Sequence, residues 1–148
     1  MTDREQAIPI GMLATRLHRA TEADLFRRLA DAGYTDLRMR HSMLFEALPA
    51  EGARVTTLAA QLGMTPQAMG ELVDEMESSG YVQRSGDPKD RRARLVMFTA
   101  KGRTAFDQAF VILSDMESAY AAKVGAAAYA TARSVLAALA QALEDDAL

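Results

Sequence analysis

Cysteine is missing from all 148 residues. Disulfides, thiolate metal sites, cysteine nucleophiles and thiol redox sensing are excluded together. Histidine occurs only twice, at His18 and His41, a separation that makes a poor metal site. No Ser–His–acid arrangement has supporting context, and no Gly-rich phosphate-binding loop is present. The expectation is a protein that is not an enzyme and holds no cofactor or metal. No run of about 18 apolar residues occurs, so no transmembrane helix is expected. The opening Met-Thr-Asp-Arg-Glu-Gln lacks the basic-then-apolar layout of a signal peptide. A cytoplasmic chain with no membrane partner is the reading. The apolar share, 49%, is too high for a disordered protein, and 148 residues suffice for one ordinary domain with a sizeable core.

What the chain does contain is a charge asymmetry. The whole carries a formal charge of −3. Residues 84–103 nevertheless hold seven bases (Arg84, Lys89, Arg91, Arg92, Arg94, Lys101 and Arg103) against two acids, Asp87 and Asp90. Two short apolar runs flank a turn expected over Ser85, Gly86, Asp87 and Pro88, so the segment reads as a β-ribbon with a cationic tip. A basic tip on an acidic protein points first to a nucleic-acid backbone.

Periodicity supplies the rest. Ile10, Leu13, Leu17 and Leu25 predict one long amphipathic helix that stops near Gly33. A second helix is expected over about 36–48, with Leu37, His41, Leu44, Phe45 and Leu48 on one face. Thr56 is the expected N-cap of a short third helix ending at Gly63, and Thr65 with Pro66 opens a fourth that ends at Gly80. After the ribbon, Ala100 opens a long helix bearing Phe106, Phe110, Leu113 and Tyr120. An Ala-rich helix over about 126–143 then frays into Glu144, Asp145 and Asp146. No linker, repeat or domain boundary is seen. The fold class is mainly α with a small β-ribbon. A winged helix-turn-helix core over about 36–99 is flanked by long N- and C-terminal helices, about 4–32 and 100–145. Apolar arms at both ends suit a two-fold homodimer; a monomer folding them onto its own core is the alternative.

Ala59 permits a close helix crossing and Gly63 a tight turn, so the third and fourth helices form a helix-turn-helix that presents Thr65, Pro66 and Gln67. Gln67 can offer a bidentate pair to adenine, and a helix start can bind a phosphate. Arg54, Arg84, Lys89, Arg91 and Arg94 are candidate phosphate contacts. For Arg84 and Arg94, pairing within the chain is an equal alternative. The fourth helix carries no base and four acids, Glu71, Asp74, Glu75 and Glu77, so affinity should be modest and dominated by the wing.

The run Leu72-Val73-Asp74-Glu75-Met76-Glu77-Ser78-Ser79-Gly80-Tyr81-Val82-Gln83-Arg84, then Asp87-Pro88-Lys89-Asp90-Arg91-Arg92, then Thr99-Ala100-Lys101-Gly102, resembles the MarR family of transcriptional regulators over nearly the whole chain. The resemblance implies a dimeric winged-helix protein that binds double-stranded DNA at an inverted repeat. Such proteins are usually repressors, many of them released by a small, often aromatic, effector. By the same resemblance Arg92 matches the wing arginine that enters the minor groove, Asp90 the acid that steadies it, and Thr65-Pro66-Gln67 the start of the recognition helix. Pro66 stands where close relatives often carry lysine, and Phe98 where they carry leucine. A guanidinium at a ribbon tip suits the negative potential of a narrow minor groove.

For an effector the candidate residues are Met12, His18, Arg40, His41 and Phe45, since methionines, aromatics and cationic donors suit an aromatic carboxylate. The alternative is an inward-packed His41 with its neighbouring arginines solvated or near phosphates. Two further readings stay open: a winged helix that binds protein, favoured by the acidic fourth helix, and a DNA-binding regulator with no small-molecule switch.

Overall fold

The computed structural model describes residues 8–146, except the side chains of Arg91 and Asp146. Among the described residues there are six α-helices, one 3-10 turn and one antiparallel ribbon: α1 Ile10–Asp31, α2 Ser42–Ala47, α3 Val55–Gln61, α4 Pro66–Ser78, β1 Val82–Asp87, β2 Asp90–Phe98, α5 Ala100–Val124 and α6 Ala126–Asp146. The chain divides into two compact units, one ending at Ala109 and the other starting at Phe110.

In the first unit α1 begins after Pro9, and residues 4–7 of the expected helix lie outside the described residues. The helix-turn-helix is built as its sequence suggests. After α3, the Gly63 N–H bonds to Ala60 O at 3.3 Å and the Met64 N–H to Ala59 O at 2.8 Å. This Schellman closure needs the positive φ, +63°, that glycine takes without strain. Two residues later Thr65 caps α4, its Oγ1 accepting the Ala68 N–H at 3.2 Å, with Pro66 at the first helical position. Leu44, Leu58, Ala59, Met69, Leu72, Val73 and Met76 are buried together with Tyr81, Val82 and Val96. Each large side chain among them is worth about 1.5–3 kcal/mol of burial. The stripe Met69, Leu72, Val73, Met76 faces inward, which leaves Thr65, Pro66 and Gln67 exposed at the start of α4.

Three local expectations are corrected. The predicted helix over 36–48 is interrupted: Arg38 is extended (φ −132°, ψ 158°), Met39–His41 form a single 3-10 turn, and only Ser42–Ala47 are α-helical. The cause lies in side chains. The Tyr81 hydroxyl hydrogen-bonds the Asp36 carboxylate, and His41 Nδ1 accepts the Arg38 N–H at 3.0 Å. Second, the residue preceding α3 is Arg54 and not Thr56, and it offers no side-chain cap. Third, the ribbon reverses at Asp87-Pro88-Lys89-Asp90, while Ser85 and Gly86 stay in β1 opposite Leu95 and Arg94. Asp87 Oδ1 accepts the Lys89 N–H at 2.8 Å, and Pro88 presets the turn. The ladder then slips, Gly86 facing Arg94 but Asp87 facing Asp90, so Arg91, Arg92 and Ala93 are extra residues at the tip.

The join to α5 explains the Thr-x-x-Gly motif. Thr99 Oγ1 accepts the Gly102 N–H at 3.0 Å as the helix cap, and the Thr99 N–H donates to Tyr81 O at 3.0 Å. A Cβ on Gly102 would lie 1.9 Å from that same Tyr81 O, so a larger residue fits only if the backbone shifts. In the second unit Ile112 and Met116 are buried, and Arg133 pairs with Glu117 at 3.2 Å. The last helix continues to Asp146, past the end expected near Leu143.

Candidate nucleic-acid interface

Two exposed parts of the first unit are the candidates: the uncharged start of α4, Thr65-Pro66-Gln67, and the cationic ribbon tip. At the tip, Lys89, Arg92 and Arg94 are exposed, and none has a carboxylate at ion-pairing distance among the described residues. The Arg91 side chain lies outside the described residues. Asp90 does steady Arg92, through the backbone: its Oδ1 accepts the Arg92 N–H at 3.0 Å.

Two other bases of the cluster, Arg84 and Lys101, are engaged within the chain, while Arg103 is exposed over the Phe98 ring. Arg84 bridges α4 to β1, with Nη2 2.7 Å from Asp74 and Nη1 on Glu77, whose other oxygen accepts the Arg84 N–H at 2.8 Å. Burial alone would lower the Arg84 pKa, but these two acids raise it above its ordinary value. Of the two readings left open for Arg84, pairing within the chain is what the structure holds. Lys101 turns onto Tyr81, its Nζ 4.1 Å from the ring centroid and 2.7 Å from Ser79 O, with Asp36 at 3.5 Å. Burial works against the charged form of Asp36, yet the Tyr81 hydroxyl, its own backbone N–H and Lys101 hold its pKa below the usual carboxylate range. Burial, and then the same Asp36, push the Tyr81 phenol well above its ordinary value. The Tyr81 ring belongs to an aromatic cluster with Tyr34, Phe45, Phe98 and Phe106.

Arg54 is likewise engaged. Its Nε and Nη2 lie 3.1 and 2.6 Å from Asp87 Oδ2, and Nη2 lies 3.3 Å from Asp90 Oδ2. Asp87 is buried, and the Arg54 hydrogen bonds, followed by the Lys89 N–H, hold its carboxyl below the ordinary range. Nothing in the local sequence marks this pair, because its members stand 33 residues apart.

The acids of α4 are therefore mostly accounted for within the chain. Asp74 and Glu77 meet Arg84. Glu75 meets Arg40 at 2.8 Å and His41 Nε2 at 3.2 Å. Glu71 bonds only the Gln67 amide, at 3.3 Å, among the described residues, which leaves it as the acid of α4 without a cationic partner.

An open cleft of about 480 Å³ is lined by Asp36, Arg38, Arg40, His41, Asp74, Glu75, Ser78 and Ser79. It takes in Arg40 and His41 and none of Met12, His18 or Phe45. His41 is buried with both ring nitrogens used: Nδ1 accepts the Arg38 N–H, which places the proton on Nε2, facing Glu75. Met12 and His18 lie exposed on α1, His18 3.3 Å from Glu22, and Phe45 stacks on Phe98 and Phe106.

The MarR family model matches residues 32–93, the stretch from the end of α1 through the ribbon tip. Among solved structures, a MarR-family transcriptional regulator from Rhodococcus sp. RHA1 is 28% identical, with 88% of this chain and 91% of that chain covered and a TM-score of 0.66. CouR from Rhodococcus jostii RHA1, bound to p-coumaroyl-CoA, is 29% identical over the same shares, 88% and 91%, with a TM-score of 0.65. The Mycobacterium tuberculosis MarR family protein Rv2887, in complex with salicylic acid, shares the fold at 22% identity and a TM-score of 0.66, over 89% of this chain and 96% of that one. A comparison with curated protein sequences finds no match.

Proposed function

We propose, from the premise that residues 32–93 carry the winged-helix lobe of a MarR-family transcriptional regulator, that this protein is a homodimeric repressor. In this reading it binds an inverted repeat in double-stranded DNA and leaves it on binding a small aromatic effector. The observation that carries the DNA reading is the sorting of charge. Three of the four acids of α4 are ion-paired with cations of the chain, whereas Lys89, Arg92 and Arg94 at the wing are exposed with no carboxylate at ion-pairing distance among the described residues. In this reading Thr65, Pro66 and Gln67 at the capped start of α4 enter the major groove while Arg92 enters the adjacent minor groove. Lys89, Arg91 and Arg94 contact phosphates and set the register. The protein-binding alternative loses most of its support, since the acidity of α4 is largely neutralised within the chain.

Dimerisation is supported by apolar stripes on both terminal helices. Ile10, Leu13 and Leu17 on α1 and Leu136, Leu139 and Leu143 on α6 are exposed at the same spacing of three and four residues. The p-coumaroyl-CoA held by CouR supports an aromatic effector. Retardation of random-sequence duplexes at modest salt tests the DNA reading. Binding that weakens steeply as salt rises is expected, because the contacts proposed are mostly to phosphate. Sedimentation equilibrium tests the dimer. Thermal shift across aromatic acids and their thioesters tests the effector, and no shift with any of them counts against it.

A further inference from the structure

We propose that Arg54 is a positioning residue for the wing. By clamping Asp87 and Asp90 it fixes the ribbon tip, and with it Arg92, against the first helix of the helix-turn-helix. This rests on the reading of the wing as the DNA contact, and it gives Arg54 a different task from that of a phosphate ligand.

The position is unusual. Arg54 has the extended backbone of an N-cap (φ −73°, ψ 147°) but no capping side chain, at a place where Ser, Thr, Asp or Asn is favoured. What the side chain does instead is bridge. One oxygen of Asp87 takes Arg54, and the other takes the Lys89 N–H. One oxygen of Asp90 takes Arg54, and the other takes the Arg92 N–H. Each acid thus links the guanidinium to a backbone amide of the turn, one on either side of it. The preceding residue holds the stem of the ribbon: Ala53 N–H to Val96 O at 3.1 Å and Val96 N–H to Ala53 O at 2.8 Å. Two consecutive residues therefore anchor the wing at its base and at its tip.

The anchor at the tip matters because a two-stranded ribbon is weak by itself. Arg92 stands four residues beyond Val96, roughly 13 Å at about 3.3 Å per residue. A tilt of about 10° about the stem then moves the tip by about 2 Å, which is enough to break a hydrogen bond. A phosphate role for Arg54 would pull it off Asp87 and leave a buried carboxylate without its counter-charge.

The two roles predict opposite signs for Asp87→Asn. Removing an acid beside a DNA-facing surface should tighten binding if Arg54 is a phosphate ligand. It should weaken binding, by about fivefold or more, if Arg54 aims Arg92. The test measures affinity for a duplex selected from a random library, using the full chain and its Arg54→Ala, Arg54→Lys, Asp87→Asn and Arg54→Ala/Asp87→Asn variants. The expected result is that both Arg54→Lys and Asp87→Asn weaken binding, since lysine keeps the charge but lacks the fork. The double variant should be no worse than the poorer single one. In parallel, ¹⁵N relaxation without DNA should show ordered amides at Lys89, Arg92 and Ala93 in the wild type (order parameter about 0.85). In the clamp variants these should fall below about 0.6. Tight binding by Asp87→Asn and Arg54→Lys, or an unchanged order parameter at the tip, overturns the proposal. If the wild type retains no duplex, the DNA reading fails, while the relaxation experiment still decides whether the clamp orders the ribbon.

Discussion

Gly102→Ala puts two effects of known size against each other. Glycine inside a helix costs up to about 1 kcal/mol relative to alanine, so on an open surface the change would stabilise. Here the new Cβ would stand 1.9 Å from Tyr81 O and 2.8 Å from Tyr81 C, both backbone atoms that no rotamer can move aside. The first turn of α5 has to retreat by more than about 1 Å to reach an ordinary contact. That costs about 1–3 kcal/mol in the manner of an overpacked core. The retreat also loosens the Thr99 cap of Gly102 and the Thr99 bond to Tyr81 O, for about 1 kcal/mol more. The balance is a net loss of about 2 kcal/mol, a Tm lower by roughly 4–8 °C for a chain of this size. Thermal unfolding followed by circular dichroism reads it directly. A Tm equal to or above that of the wild type would mean that α5 is free to shift, and the steric account of the motif would be wrong.

Arg92→Ala should leave the Tm within about 1–2 °C, since the exposed side chain pairs with no acid among the described residues, yet weaken duplex binding by about 1–3 kcal/mol; fluorescence anisotropy and a melting curve separate the two. Glu71→Gln should tighten DNA binding, because it removes the acid of α4 that meets no cation among the described residues; unchanged or weaker affinity in the same titration would place Glu71 away from the DNA. The folded Asp87 pKa is lowered, so its contribution to stability is full above the unfolded value of about 3.9 and is lost as pH falls through the folded value. Urea midpoints should therefore favour the wild type over Asp87→Asn at pH 7, with the gap closing below about pH 4; a gap that does not change with pH counts against the Arg54–Asp87 pair as its source. Leu139→Glu, on the exposed stripe of α6, should shift sedimentation equilibrium toward monomer; an unchanged mass at micromolar concentration would remove that stripe from the dimer contact.

Where structure depends on residues close in sequence, it was legible. The Ala59–Gly63–Thr65 turn and the inward stripe of α4 follow from capping and periodicity, and both are found. Even the displaced ribbon turn had a local signal, since Asp87-Pro88 fits the first two turn positions better than Ser85-Gly86 does. The broken helix over 36–48 did not have one. Its apolar spacing suits a helix, and the break is held by a short-range bond, the Arg38 N–H on His41 Nδ1, together with a distant one, Tyr81 on Asp36 from 45 residues away. The same limit hid the sorting of charge. Arg54, Arg84, Lys89 and Arg92 all read as bases near a turn. Only folding sets two of them against Asp87, Asp74 and Glu77 and leaves the other two facing solvent. The inward packing of His41 is legible from its place among Leu37, Leu44 and Leu48, but its distant partner Glu75, 34 residues away, is not.

Incubating the purified protein with fragmented DNA from its own source at moderate salt, and sequencing what is retained, tests the central claim most directly. The account predicts enrichment of an inverted repeat with half-sites about one helical turn apart, lost on Arg92→Ala. Retention no better than that of random fragments, by a folded wild-type dimer, would contradict it.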